Sequence, residues 1–513
     1  MSPLSYNISL SITETCRTFA SRVAVSFSAE EQLTYRQLDE ISNRAANFLI
    51  QCGVRRGDRV AICLEKSLSA YVLPLSALKI GAPYFFLDPR NPPARLAAIL
   101  EQCRPKILFH HSSYVGPAVS NSVVCPEAFE PPEFLTNMAD SMPTEAAAVT
   151  GADPAYIMFT SGSTGLPKGA VISHDNLIHF IEWIRASLPF TPDDVHTQLN
   201  PLYFDNSVFD LYSTLFTGGM LVPFDHITMQ NPVTIVARVV ESRCTVWFSV
   251  PSLLMFLQTM KLATRDKLGG LKTVMFGGEG YPKARLKELF EQIGGSSEVL
   301  NVYGPTECTC ICSCYRVTED DFMDLEGFPP IGQLNQNFSY LLMNGEVEAA
   351  AGESGELCLG GSCVGLGYFL QAELTARAFV QNPLNAAYRE IVYRTGDLLR
   401  YDPADSKLHF VGRCDSQIKH MGYRIELEEI QHALTTIDGV DEAVALQRKT
   451  FGLSEIIAVV ATTQSLTERG VRHQLEARLP SYMIPLRVHC VDQMPKNANG
   501  KTDRRALIRQ YAS

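Results

Sequence analysis

Ten residues, TSGSTGLPKG from Thr160 to Gly169, gather four hydroxyl side chains, three glycines and a lysine. Hydroxyls and bare backbone amides can hold anionic oxygens, and glycine lets the backbone come close to them. The lysine adds a movable point charge. The stretch follows the apolar run Tyr156-Ile157-Met158-Phe159, which reads as a strand. A loop hung from a strand is unlike a Gly/Ser linker, which needs no such anchor. The Gly-x4-Gly-Lys-Ser/Thr spacing of the Walker loop is absent. On local chemistry alone a polyphosphate cradle and a plain structural turn both stand.

The elements that must position this loop alternate between helix and strand. LTYRQLDEISNRAANFLIQCGV puts Leu38, Ile41, Ala45, Phe48 and Leu49 on one helical face, and DRVAICLE reads as a short buried strand. After the loop, HDNLIHFIEWI is helical, GGMLVPFD extended, and CTVWFSVPSLL a strand entering a helix. LKTVMFGGEG and EVLNVYGPTE are strands that run into glycine-containing turns. Strands alternating with helices imply parallel α/β sheets, whose ligands gather at the carboxyl ends of strands. Three such ends, at Thr160, Gly277 and Tyr303, are therefore expected to converge. Beyond Gly355 short strands (GELCLGG, VYRTGDLLRY, LHFVGR) suggest a small β subdomain, and from Asp415 onward a compact α+β module follows. The expected fold is thus α/β. A large N-terminal domain (1–414) holds two αβ-layered sheet subdomains and a β subdomain, and a small mobile α+β domain (415–513) completes it.

The chain has 513 residues, 46% hydrophobic and 19% charged, enough to bury a large core over two or three domains. A net charge of −11 without basic runs excludes a general nucleic-acid binder. No secretory signal and no bilayer-length apolar run is found, so a cytoplasmic enzyme is expected. Of 14 cysteines, Cys308, Cys310, Cys312 and Cys314 alternate in ECTCICSC. Strand spacing would put all four on one buried face, and the pairing of a zinc site is missing. Reduced thiols are expected throughout.

Eight ordered stretches resemble the adenylate-forming superfamily, most closely the amino-acid adenylation domains of peptide synthetases and the D-alanine–carrier-protein ligases. They are LKIGAPYFFLDPRNPPARL, FTSGSTGLPKGAVISH, YFDNSVFDLY, NVYGPTE, GELCLGGSCVGLGYF, YRTGDL, GRCDSQIKHMGYRIELEEI and PKNANGKTDRRAL. The resemblance implies a two-step reaction. A carboxylate attacks the α-phosphate of ATP, with Mg²⁺, to give an acyl-adenylate and pyrophosphate. The phosphopantetheine thiol of a separate carrier protein then displaces AMP. Neither step needs an enzyme nucleophile, which agrees with the absence of a Gly-x-Ser-x-Gly elbow.

Carried over residue by residue, the resemblance makes Thr160, Ser161, Gly162, Ser163, Thr164, Gly165 and Lys168 the triphosphate loop, with Thr306 on the α-phosphate. Glu307 becomes the Mg²⁺ ligand, a hard carboxylate suited to a metal shared with phosphates. Gly278, Asn301 and Tyr303 would hold adenine, and Asp397 and Arg413 the ribose. Lys501 would be the catalytic lysine and Asp415 the hinge between two orientations of the small domain. In one orientation Lys501 serves adenylation; in the other KHMGYR around Gly422 faces the site and Lys501 leaves it.

Asp205 decides the substrate class, since its carboxylate would pair with the α-ammonium of an amino acid. The helix-capping role that Asp often plays is the bland alternative. Asn206, Phe209, Ser249, Met275, Gly277, Val302, Cys310 and Ile311 would line the rest of the pocket, mostly apolar and uncharged. A neutral amino acid of small to medium size is therefore expected. An acyl-CoA or aryl-acid ligase, or a catalytically silent nucleotide-binding homologue, are the rivals. Asp205 speaks against the first, and the presence of Lys168, Glu307, Asp397 and Lys501 against the second.

Overall fold

In the strand Val60–Cys63 successive side chains point to opposite faces, so Val60 and Ile62 enter one core while Ala61 and Cys63 enter another. The same alternation recurs in the second large sheet. Phe248, Met275, Leu300 and Val302 face the first core, whereas Trp247, Val274, Phe276 and Val299 face a third. Strands apolar on both faces must be covered on both faces. Five layers result in this computed structural model, which describes residues 6–162, 165–293, 295, 297–450, 453–462, 464, 466–497 and 501–512. The helices Tyr35–Gln51, Leu68–Lys79, His174–Ser187 and Asn206–Thr217 contribute to the core between the two sheets. Pro93–Cys103 covers the outside of one sheet, and Pro232–Glu241, Pro251–Thr259 and Lys283–Ile293 the outside of the other.

The first sheet has seven strands. The antiparallel pair Pro154–Thr160 and Lys168–Ser173, with Thr160 opposite Lys168, holds the two feet of the glycine loop. The second sheet has eight strands, of which Val246–Ser249, Thr273–Gly277 and Glu298–Tyr303 run parallel and in register, Ser249 beside Phe276 and Gly277 beside Val302. Their carboxyl ends therefore form one row. The expected β subdomain is a third sheet of six strands that begins earlier than the sequence suggests, at Phe338.

The small domain opens with the hairpin Gln417–His420/Tyr423–Glu426 and continues as the helix Leu427–Thr435 and a three-stranded sheet. Ile425, Ile430, Leu434, Ala458 and Leu475 share its own core. Among the described residues no helix is long and apolar enough to cross a membrane.

The expectation for ECTCICSC is corrected. Thr309 and Cys310 have φ of 57° and 71°, and two consecutive left-handed residues cannot continue a strand. Cys308 closes a 3₁₀ turn, the strand starts only at Ser313, and the thiols diverge: Cys310 packs in the inter-sheet core, Cys308 and Cys312 against the third sheet.

Candidate functional site

Where the two sheets, the third sheet and the small domain meet, a cavity of about 510 Å³ opens. Thr160 and Ser161 border it from one sheet, and Ser249, Gly278, Val302 and Tyr303 from the other. Asp397 and Arg413 border it from the third sheet. The three strand ends named from the sequence do converge, although Gly277 itself stays behind the wall.

Asp205 sits at the start of the helix Asn206–Thr217, yet its side chain makes no cap hydrogen bond. It faces the cavity instead. Burial pushes its carboxyl above the ordinary range, and the Thr306 hydroxyl and the Asn206 amide only partly offset this. No described cation lies within salt-bridge distance of it. Asn206, Ser249, Val302, Cys310 and Ile311 also line the wall. Phe209 and Met275 do not: both are fully buried in the inter-sheet core, and Phe209 packs edge-on behind Phe248, which takes the wall position. Ser249 accepts a hydrogen bond from the Trp247 indole at 2.8 Å, which fixes its hydroxyl.

On the other side of the cavity Tyr303 donates to Asp397 at 2.6 Å, and Asp397 pairs with Arg413 at 2.5 Å. Arg413 also grips Asp415 through two nitrogens, at 2.6 and 2.5 Å. The hinge candidate is thus tied to the group expected at the ribose. Asn301 spends its amide on the Pro330 carbonyl at 2.9 Å and does not border the cavity.

Glu307 has no exposed surface. It accepts from Tyr368 at 2.7 Å and from Arg424 at 2.6 Å, with the Lys168 ammonium 3.9 Å away. Burial alone would raise its pKa, but the Arg424 and Lys168 charges outweigh that and hold it down to about 2. Burial and the Arg424 charge lower Lys168. Of the glycine loop, Ser163 and Thr164 lie outside the described residues. Ser161 donates to the Arg424 carbonyl at 2.7 Å and accepts from the Glu426 amide at 3.1 Å. The Gly162 amide donates to Glu429 at 3.2 Å. A Cβ at Gly162 would lie 1.9 Å from the Leu166 carbonyl oxygen, so only glycine allows the loop to fold back here.

The small domain presents its hairpin to the cavity: Gln417, Lys419, Met421, Gly422, Tyr423 and Arg424 all border it. Gly422, at φ 81°, lies so close to Val250 that a Cβ would come within 2.5 Å of its methyl. Lys419 stands 5.4 Å from the Tyr303 ring centroid. Lys501 is exposed on a turn whose amide donates to Asn497 at 3.1 Å, and it does not border the cavity. Of the two orientations implied by the resemblance, this is the one with KHMGYR inside and Lys501 outside.

The AMP-binding enzyme model matches residues 12–369, and its C-terminal-domain counterpart matches residues 429–501. The chain belongs to the AMP-binding enzyme family. Among family relatives, it is 32% identical over 504 residues to the L-proline–[L-prolyl-carrier protein] ligase of Streptomyces coelicolor, covering 94% of this chain and 93% of that one. It is 32% identical to surfactin synthase subunit 3 of Bacillus subtilis over 94% of its own length but only 37% of that protein. The chain thus spans about a third or less of the large synthases that it matches. Among solved structures, holo-PA1221, an NRPS protein with adenylation and PCP domains bound to a vinylsulfonamide inhibitor, superposes with a TM-score of 0.84 at 25% identity. That match covers 98% of this family member and 84% of PA1221.

The residues that sequence reasoning missed at this family member's site are Phe248, Phe204 and the individual side chains of KHMGYR, Lys419 and Arg424 above all. Phe204 directly precedes Asp205, borders the cavity, and packs edge-on against Tyr423 at 5.1 Å.

Proposed function

We propose that this chain is an ATP-dependent ligase that activates a neutral amino acid of small to medium side chain as its adenylate. It then passes the aminoacyl group to the phosphopantetheine thiol of a carrier protein. The observation that carries this reading is Asp205, a carboxylate withdrawn from bulk water at a cavity wall with no salt-bridge partner among the described residues, the Arg424 charge offsetting its burial only in part. A buried unpaired carboxylate is costly, and an α-ammonium in the cavity would remove that cost. An acyl or aryl acid carries no such cation. Asn206, Phe248, Ser249, Val302, Cys310 and Ile311, which share the wall with Asp205, are uncharged and support a neutral side chain, although charged groups such as Glu65, Lys66 and Arg90 also border the cavity. The proline–carrier-protein ligase, covered almost end to end, supports the same reaction class.

In this reading the Gly162 amide, the loop hydroxyls and Lys168 hold the β- and γ-phosphates, and Thr306 the α-phosphate. Tyr303, backed by Gly278, stacks on adenine, and Asp397 with Arg413 takes the ribose hydroxyls. Lys501 must swing in to offset the charge that builds on the α-phosphate during adenylation. The division falls at Asp415, with 1–414 as the large domain. Glu307 fits a metal that draws most of its ligands from phosphates and water, and Mg²⁺ there would neutralise the triphosphate and orient it. Everything else is positioning: the amine on Asp205, the carboxylate turned toward the α-phosphate, water kept out by the small domain.

The test is ATP–pyrophosphate exchange against a panel of L- and D-amino acids together with benzoate, acetate and fatty acids. Exchange confined to a few neutral amino acids is expected. Exchange driven by an acid lacking the amino group would overturn the role of Asp205, and no exchange at all would leave a silent nucleotide binder.

A further inference from the structure

Two carboxamides border the cavity with hydrogen-bonding capacity that the chain leaves unused. Asn200 lies between the strand Val195–Gln198 and Asp205, and it is only 6% exposed. Its Nδ2 donates to a carboxylate oxygen of Asp210 at 2.9 Å and to the Phe248 carbonyl at 3.2 Å. A carbonyl can only accept, so the carboxamide cannot be turned the other way round. Oδ1 therefore faces away from both partners, and among the described residues nothing donates to it. Asn206 opens the helix Asn206–Thr217, and its carboxamide likewise has no hydrogen-bond partner among the described residues.

The polar groups nearby are already occupied. The Ser249 hydroxyl donates to the Val250 carbonyl at 3.2 Å while accepting from Trp247. Lys66 spends its ammonium on the carbonyls of Gln198, Leu199 and Phe224, at 2.7, 3.2 and 2.8 Å. Glu65 and Arg90 answer each other at 3.7 Å with side chains 46% and 39% exposed, so water screens both. What the wall lacks is a donor for Asn200. A nearly buried acceptor without one carries a standing desolvation cost that a donating ligand group removes.

From this we infer that the amino acid activated here carries an uncharged side-chain group that donates a hydrogen bond, a hydroxyl or a carboxamide, received by Asn200 Oδ1 and completed by the Asn206 carboxamide. The inference rests on the reading of this cavity as the amino-acid site, and narrows that reading from neutral to hydrogen-bonding side chains. Asn200 sets the donor requirement, because both of its N–H groups are taken. Aliphatic and ether side chains would leave Oδ1 bare, and a side-chain carboxylate would set lone pairs against it. A side-chain ammonium could donate, but it would meet the Lys66 ammonium held on the carbonyl of the adjacent Leu199. Asn206 can both donate and accept, so it answers the lone pair of a hydroxyl or the oxygen of a carboxamide.

The test is ATP–pyrophosphate exchange by the whole chain with the common amino acids and with isosteric pairs in L and D forms. The pairs are serine with 2-aminobutyrate, threonine with valine, homoserine with norvaline, asparagine with leucine and glutamine with homoleucine. The first three read a hydroxyl and the last two a carboxamide. The preferred substrate is expected to be a polar member. Its kcat/KM should exceed that of its isostere by more than about 200-fold, the most that a missing methylene gives, and toward the roughly 10⁴-fold of sites built to bond a substrate hydroxyl. Asn200→Ala and Asn206→Leu should each lower that ratio by roughly tenfold, one hydrogen bond's worth. Thermal melting checks that each is folded, and Asn206, being partly exposed, keeps the test open should Asn200→Ala not fold. A preferred substrate with a charged or wholly apolar side chain, a ratio below about 200-fold, or folded variants that leave the ratio unchanged would overturn the inference and leave adenylation standing. No exchange with any amino acid would overturn the reading of the cavity itself, and the inference with it.

Discussion

Asp205→Asn keeps the shape of the side chain and deletes its charge, and the structure gives this change two effects of opposite sign. With an amino acid bound, it breaks an ion pair shielded from bulk water. Removing one partner of such a pair costs about 3–5 kcal/mol, or roughly a 10²- to several-thousand-fold rise in KM for the amino acid at unchanged KM for ATP. Without ligand, the same carboxylate is a burden: burial raises its pKa, and the Thr306 hydrogen bond and the Arg424 charge offset that only in part. The asparagine protein should then be more stable than the wild type by about 1–2 kcal/mol, a melting shift of a few degrees. The sign with pH follows from the raised pKa. A protonated Asp205 carries no penalty, so the gain is absent below the unfolded-state pKa, grows as pH rises from there and is complete above the raised folded-state pKa. The assays are exchange kinetics with both substrates varied, and differential scanning fluorimetry of both proteins from pH 5 to 8. An unchanged KM for the amino acid, or an asparagine protein that melts below the wild type at pH 8, refutes the reasoning.

Lys501→Ala should slow adenylate formation by about 10²–10³-fold, the usual loss of one transition-state charge contact, and spare thioester formation from supplied adenylate in single-turnover assays. Gly422→Ala should do the reverse, because its Cβ would meet Val250 at 2.5 Å and its φ of 81° disfavours a side chain; equal loss of both steps would count against the docked geometry. His174 and His196 are buried, and burial lowers both to about 4. They bind protons more readily unfolded than folded between pH 6.5 and 4, so stability falls as pH drops through that window. The loss is up to about 3 kcal/mol for each, read from denaturant midpoints, and each His→Gln variant should flatten the slope.

Much of this architecture is written in residue patterns. Short apolar runs such as VAIC and VMFGG place the strands, and glycine with hydroxyls after a strand marks the proposed phosphate loop. The polar groups at strand ends were legible because they are short-range signals tied to a fixed element. Phe209 and Met275 misled because both strand alternation and helix rotation decide which side chain reaches a wall, and a half-turn separates wall from core. ECTCICSC misled because spacing of two suits a strand only while φ stays negative, and Thr309 with Cys310 breaks that. The orientation of the small domain was not legible at all. The proposed hinge at Asp415 would permit either arrangement, and the choice depends on contacts such as Arg424 with Glu307 that lie 117 residues apart in sequence.

The helix Asn206–Thr217, which begins beside Asp205, is clamped between two sheets, with Phe209, Tyr212 and Leu215 fully buried. A clamped helix cannot slide to make room, so Asp205, the proposed amine anchor, stays fixed whatever side chain arrives. In the proposed reading, new specificities would come from the far wall, through exchanges at Ser249, Val302, Cys310 and Ile311, which border the cavity. Descent with altered substrate in this lineage would therefore proceed by editing one side of a chamber whose other side is held constant by the packing of the whole domain.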